Sequence, residues 1–156
     1  MTDLRIYYPK NADRISVVDP DDKKESVGLY GRIELPFDTH DKPFGMMWRD
    51  RYVRLAPGVY RVIMDSMSNG LRCFRFVEAL TCHSMTEKQE ETLKKQTQCI
   101  HPAMRPYELA GCLSPGTKRG PDGWAPGDST RTMQQIFAAL GGWRPQQMFV
   151  AEVFDE

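Results

Sequence analysis

A chain of 156 residues with 21 basic and 21 acidic side chains, and an isoelectric point near 6.8, fits one domain around a single core and carries no net field toward polyanions. Nucleic acid and membrane are therefore not expected as partners, and no run approaches the roughly 18 apolar residues of a membrane-spanning helix. The opening Met1-Thr2-Asp3-Leu4-Arg5 lacks the basic and apolar regions of a signal peptide, so cytoplasmic synthesis is expected, with Cys73, Cys82, Cys99 and Cys112 as free thiols.

The first half reads as strands and turns. Residues 4–8 are rich in β-forming side chains and stop at Pro9 and Asn11, and a short strand follows over 14–18. The charged run 19–24 is a solvated turn before a strand over 26–35, where Gly28 and Gly31 suggest a bulge or a close backbone approach. Residues 36–48 contain Pro36, Pro43, Asp38, Asp41 and Gly45 and read as an irregular connection, with His40 a solvated loop residue. Residues 51–55 and 59–64 alternate around Ala56-Pro57-Gly58, the chemistry of a hairpin turn. A second turn over 66–70 leads into a strand over 71–77, in which Cys73 is expected to face the apolar side of the sheet.

Residues 86–98 are dense in Glu and Lys and suit an exposed helix capped at Ser84 or Thr86, making 84–98 a helical insertion. A second helix is expected from an N-cap at Ser129 or Thr130, through Met133, Ile136, Phe137 and Leu140 at helical spacing, to a stop at Gly141-Gly142. Residues 148–154 close the chain as a strand. The sum is one α+β domain over 1–156: a mainly antiparallel sheet or partly closed barrel with two helices.

Candidate chemistry falls within residues 100–116. A thiol nucleophile needs a base within hydrogen-bond reach, because free cysteine is mostly protonated at neutral pH. His101 and Cys112 supply such a pair. Gly111 removes a side chain where substrate must approach, and backbone N–H groups around Gly111 and Cys112 suit a developing oxyanion. The competing readings are a buried structural cysteine and histidine, or a zinc site drawn from Cys82, His83, Cys99, His101 and Cys112, which lack the usual ligand spacing. No metal or other cofactor is expected. Trp48, Trp124 and Trp143 read as anchors of core or loop.

These residues resemble two families. The closer is a group of phage and prophage proteins of unassigned function that share a Pro-Gly-x-Tyr turn, here Pro57-Gly58-Val59-Tyr60, and an Ile-His element followed by Gly-Cys and a later glycine, here Ile100-His101, Gly111-Cys112 and Gly116. The more distant likeness is to L,D-transpeptidases, β-rich enzymes with an upstream histidine followed by Ser/Thr-His-Gly-Cys. That resemblance implies Cys112 as the acylated nucleophile, His101 as its base, and Gly111 as the glycine before it. The implied substrate is a peptidoglycan stem peptide, with Arg105, Arg131 and Ser114 as candidate substrate-binding residues. The chain departs by placing Leu109-Ala110 where that signature has Ser/Thr-His and Leu113-Ser114-Pro115 where an arginine commonly follows. The alternative is a non-catalytic phage accessory protein that binds a cell-wall fragment or a protein partner. Either role outside the cytosol needs lysis, injection or a secretion machine.

Overall fold

Strands with one face turned to the core account for most of the molecule, which a computed structural model describes over residues 2–36 and 43–156. In chain order they are β1 (Leu4–Tyr8), β2 (Arg14–Val18), β3 (Glu25–Glu34), β4 (Phe44–Arg49), β5 (Gly58–Ser66) and β6 (Arg72–Thr81). Helix α1 (Glu87–Lys94), β7 (Cys99–Ile100), a 3-10 turn (Pro106–Glu108) and β8 (Ser114–Gly116) follow. The small hairpin β9 (Arg119–Gly120) and β10 (Gly123–Trp124), helix α2 (Asp128–Ala139) and β11 (Met148–Asp155) complete the chain.

The sheet runs β7-β6-β5-β11-β1-β3-β4-β8, with β2 also paired to β3. Its pairings are antiparallel except β1 with β11, where Leu4 faces Ala151 and Tyr8 faces Asp155. The two ends of this order meet. Ile100 of β7 bridges Leu113, the residue before β8, through Leu113 N–H to Cys99 O at 2.8 Å and His101 N–H to Leu113 O at 2.9 Å. The result is a β-rich α+β domain whose sheet is nearly closed as a barrel.

Inside lie Leu4, Ile6, Ile33, Val62, Phe74, Ile100, Leu113, Ala151 and Val153, joined by Met133, Ile136 and Phe137 from the apolar face of α2. A second, smaller cluster sits on the opposite face of the sheet around the seam and includes Tyr30, Met47, Cys73, Cys99, Leu109, Cys112 and Trp124. The chain between His101 and Leu113 folds back over that cluster. Gly28 permits this: a Cβ there would lie 2.9 Å from Pro106 Cγ. Gly31 meets the backbone in the same way, with Tyr7 O at 2.3 Å from a hypothetical Cβ.

Several expectations are corrected. The connection expected over 36–48 contains strand β4, whose side chains are buried toward both clusters, so its sequence shows no alternation to reveal it. The remainder of that connection, with His40, lies outside the described residues. No strand forms over 51–55, because both edges of β5 are taken by β6 and β11. Side chains satisfy that segment instead: Gln98 donates to Val53 O, Gln89 to Arg54 O, and the Tyr60 hydroxyl to Ala56 O. Helix α1 is capped by Thr86 with Gln89 in a reciprocal box, but it ends before 98, where Gln96 takes φ 53°. Helix α2 begins at Asp128, one residue before the expected caps, and its Ser129 hydroxyl accepts from Ala103 N–H instead of capping the helix. Cys73 does face an apolar cluster and is fully buried, but in the seam cluster on the side of Arg75 and not in the main core. Among the described residues no helix is long and apolar enough to cross a membrane.

Candidate active site at the barrel seam

Strand register assembles the site. Across the seam Phe74 pairs with Ile100, and Ile100 with Leu113, all three pointing into the main core. Side chains alternate along a strand, so the next rung points outward: Arg75 pairs with Cys99, and Cys99 lies beside Cys112. On the far side β4 pairs Met47 with Ser114, and Arg49, two residues on along β4, lines the same crevice as Cys112. The outer row therefore reads Arg75, Cys99, Cys112, with Arg49 beyond Cys112 at the crevice. His101 and Cys73 stand on the adjoining outer rung.

Cys112 and His101 are only 5% and 6% exposed. The imidazole Nδ1 lies 2.9 Å from Pro102 O, which can only accept, so Nδ1 carries a proton and Nε2 is left to exchange one with the thiol. A hydrogen bond from the Cys99 thiol pulls the Cys112 thiol down to about 5, against the opposing effect of burial, and His101 pulls it the same way. Burial by itself lowers the imidazole, but the Cys112 thiol and the Pro102 carbonyl outweigh it and raise His101. Cys99 is raised, first by its hydrogen bond to Cys112. These directions favour negative charge at Cys112 beside an imidazolium, with Cys99 as the neutral donor; when protonated, Cys112 Sγ donates to Thr97 O at 3.4 Å.

Gly111 takes φ +88°, and a Cβ there would meet nothing within 4 Å. The glycine serves the backbone conformation that turns Cys112 into the seam. The N–H groups of Gly111 and Cys112 find no acceptor among the described residues, so both are available to an oxyanion. The crevice at the sulfur, lined in part by Trp48, Arg49, Tyr52, Gly111 and Cys112, has an empty volume of about 180 Å³, no part of it wide enough to seat a water molecule. Substrate reaches the sulfur only when the 52–54 segment or the Gly111 turn moves.

The other expected site residues are placed elsewhere. Ser114 is fully buried, donating to Ala103 O at 2.6 Å and accepting from Trp124 Nε1 at 3.0 Å. Arg105 pairs with Asp122 at 3.6 Å, and Arg131 is exposed on α2 beside Asp128. Cys82 donates to Pro57 O at 3.1 Å beside a separate hollow of about 540 Å³ between β6 and α1, and its neighbour His83 is exposed. Among the described residues no three His, Cys, Asp or Glu side chains converge to hold a metal ion.

Cys73 and Arg49 were not anticipated at the site, and Cys99 was considered there only as a zinc ligand. For Cys99 a signal existed, since it stands two residues before His101 and must share its face in a strand. Arg49 gave none, because its strand was itself unread. No family model, curated protein or solved structure matches this chain.

Proposed function

We propose that the protein is a cysteine-dependent acyl transferase or hydrolase, with Cys112 as nucleophile and His101 as its acid and base. The observation that carries the reading is that barrel closure buries Cys112 and His101 together at the seam, where the thiol is shifted down and the imidazole up, toward a thiolate-imidazolium pair. In the first half-reaction Cys112 Sγ bonds to an acyl carbonyl carbon, the carbonyl electrons move to oxygen, and the Gly111 and Cys112 N–H groups stabilise that charge. Collapse breaks the bond to the leaving amine, which takes the proton from His101 Nε2 and leaves a thioester on Cys112. In the second half-reaction water or an amine attacks the thioester, His101 accepts its proton, and the thiolate returns. The resemblance to L,D-transpeptidases makes peptidoglycan stem peptides the first substrates to try.

Incubation with p-nitrophenyl acetate and with tetrapeptide muropeptides, followed by intact mass and peptide mapping, tests the proposal. An acyl adduct on Cys112 is expected, absent in Cys112→Ala and strongly reduced in His101→Gln. A folded protein that forms no adduct on Cys112 with either donor would favour the non-catalytic reading, in which the pair is packing at a closed seam.

A further inference from the structure

One cation beside Cys112 is answered by no carboxylate. Arg49 ends β4, is 7% exposed, and its Nε is buried without a hydrogen-bond partner. Among the described residues no acidic side chain pairs with it. The ring of Tyr52 lies 5.5 Å from its guanidinium carbon. The arginine at the other end of the same row is treated differently: Arg75 meets Asp65 at 2.8 Å and donates to Gln96 O at 2.7 Å. Arg54, which also borders the crevice, is held by Asp155 at 3.3 Å. A buried guanidinium Nε with no hydrogen-bond partner is costly and finds its compensation in an anion that arrives.

That anion is not the thiolate. His101 already balances Cys112, so Arg49 leaves the crevice with a surplus positive charge. The geometry points to a substrate subsite at Arg49 for a carboxylate carried on the acyl group, gripped by the Nε edge of the guanidinium while the carbonyl carbon faces Cys112 Sγ. This rests on the acyl-transfer reading and names its substrate class: carboxylated acyl donors. The orphaned Nε and a neighbouring Nη present two parallel donors, which suit the two oxygens of a planar carboxylate. Arg49 thereby takes the part that the sequence assigned to Arg105 and Arg131, both of which lie beside acidic side chains of their own.

Two alkylating reagents of nearly equal size read the subsite: iodoacetate carries the carboxylate and iodoacetamide does not. The iodoacetate-to-iodoacetamide rate ratio at Cys112 is expected to be about tenfold or more higher in the wild type than in Arg49→Met, the equivalent of one charge-assisted hydrogen bond. Arg49→Lys should fall between them, keeping the charge but losing the two-pronged edge. A second measurement needs neither a variant nor a reactive thiol: acetate, titrated against chloride at constant ionic strength, should shift the Arg49 Nε–H resonance saturably. Equal ratios in the wild type and folded Arg49→Met, or no saturable shift, overturn the subsite. Inorganic phosphate binding more tightly than acetate overturns the carboxylate assignment. A thiol inert to both reagents refutes the acyl-transfer reading, and the acetate titration then still decides whether Arg49 is an anion site.

Discussion

Ser114→Ala should destabilise the protein far more than the loss of one surface hydroxyl. Its Oγ has a single proton, committed to Ala103 O at 2.6 Å, and it accepts from Trp124 Nε1 at 3.0 Å. The contact to Ser129 Oγ at 3.2 Å must then run with Ser129 as donor, while Ser129 accepts from Ala103 N–H. Every polar atom of this cluster is spoken for, and both backbone groups of Ala103, two residues after His101, are fixed by it. Alanine leaves the Trp124 N–H and the Ala103 carbonyl buried without partners. At about 1–3 kcal/mol for each orphaned group the loss is about 2–5 kcal/mol, a large share of the 5–15 kcal/mol typical of a domain. Urea unfolding should show a lower midpoint at unchanged slope. A loss under about 0.5 kcal/mol would refute this hydrogen-bond accounting.

Gly111→Ala should cost roughly 1–2 kcal/mol in urea unfolding, from its positive φ alone, and Gly111→Asn clearly less, because asparagine tolerates that region; equal costs would implicate something other than backbone conformation. Asp128→Asn should lose roughly 1–3 kcal/mol at pH 7. Although burial opposes its ionisation, the N–H groups of Lys118 and Thr117 and the Thr117 hydroxyl hold the Asp128 carboxyl below its usual range. That stability is complete above the unfolded value of about 3.9 and is lost as pH falls through the lower folded value, so the wild type and variant should converge in acid. A gap that stays constant from pH 7 to about 2 would contradict the assignment.

The sequence disclosed elements that bury one face and hid those that bury two. β1, β3, β6 and β11 alternate, and α2 shows its apolar stripe, so their register with solvent is written in the residue order. β4 is buried on both sides, between the barrel core and the seam cluster, and Pro36, Pro43 and Gly45 give it the look of a loop. The His101 and Cys112 pairing was legible because the two residue types are rare and close in the chain. Cys99 was legible too, two residues before His101, whereas Cys73 and Arg49 join them only through long-range strand pairing that no local pattern encodes. Ser114 shows the converse. A hydroxyl two residues from a candidate nucleophile reads as a binding group, yet the strand's alternation turns it beneath Trp124, where it anchors the loop.

The pH dependence of Cys112 alkylation by iodoacetamide, followed by peptide-resolved mass spectrometry, addresses the thiolate-imidazolium pair most directly. A lowered thiol gives a rate that rises through an inflection near pH 5 and is already flat at neutrality, and His101→Gln should carry that inflection upward. An inflection at or above the ordinary thiol value of about 8.5, unchanged by His101→Gln, would contradict an activated Cys112.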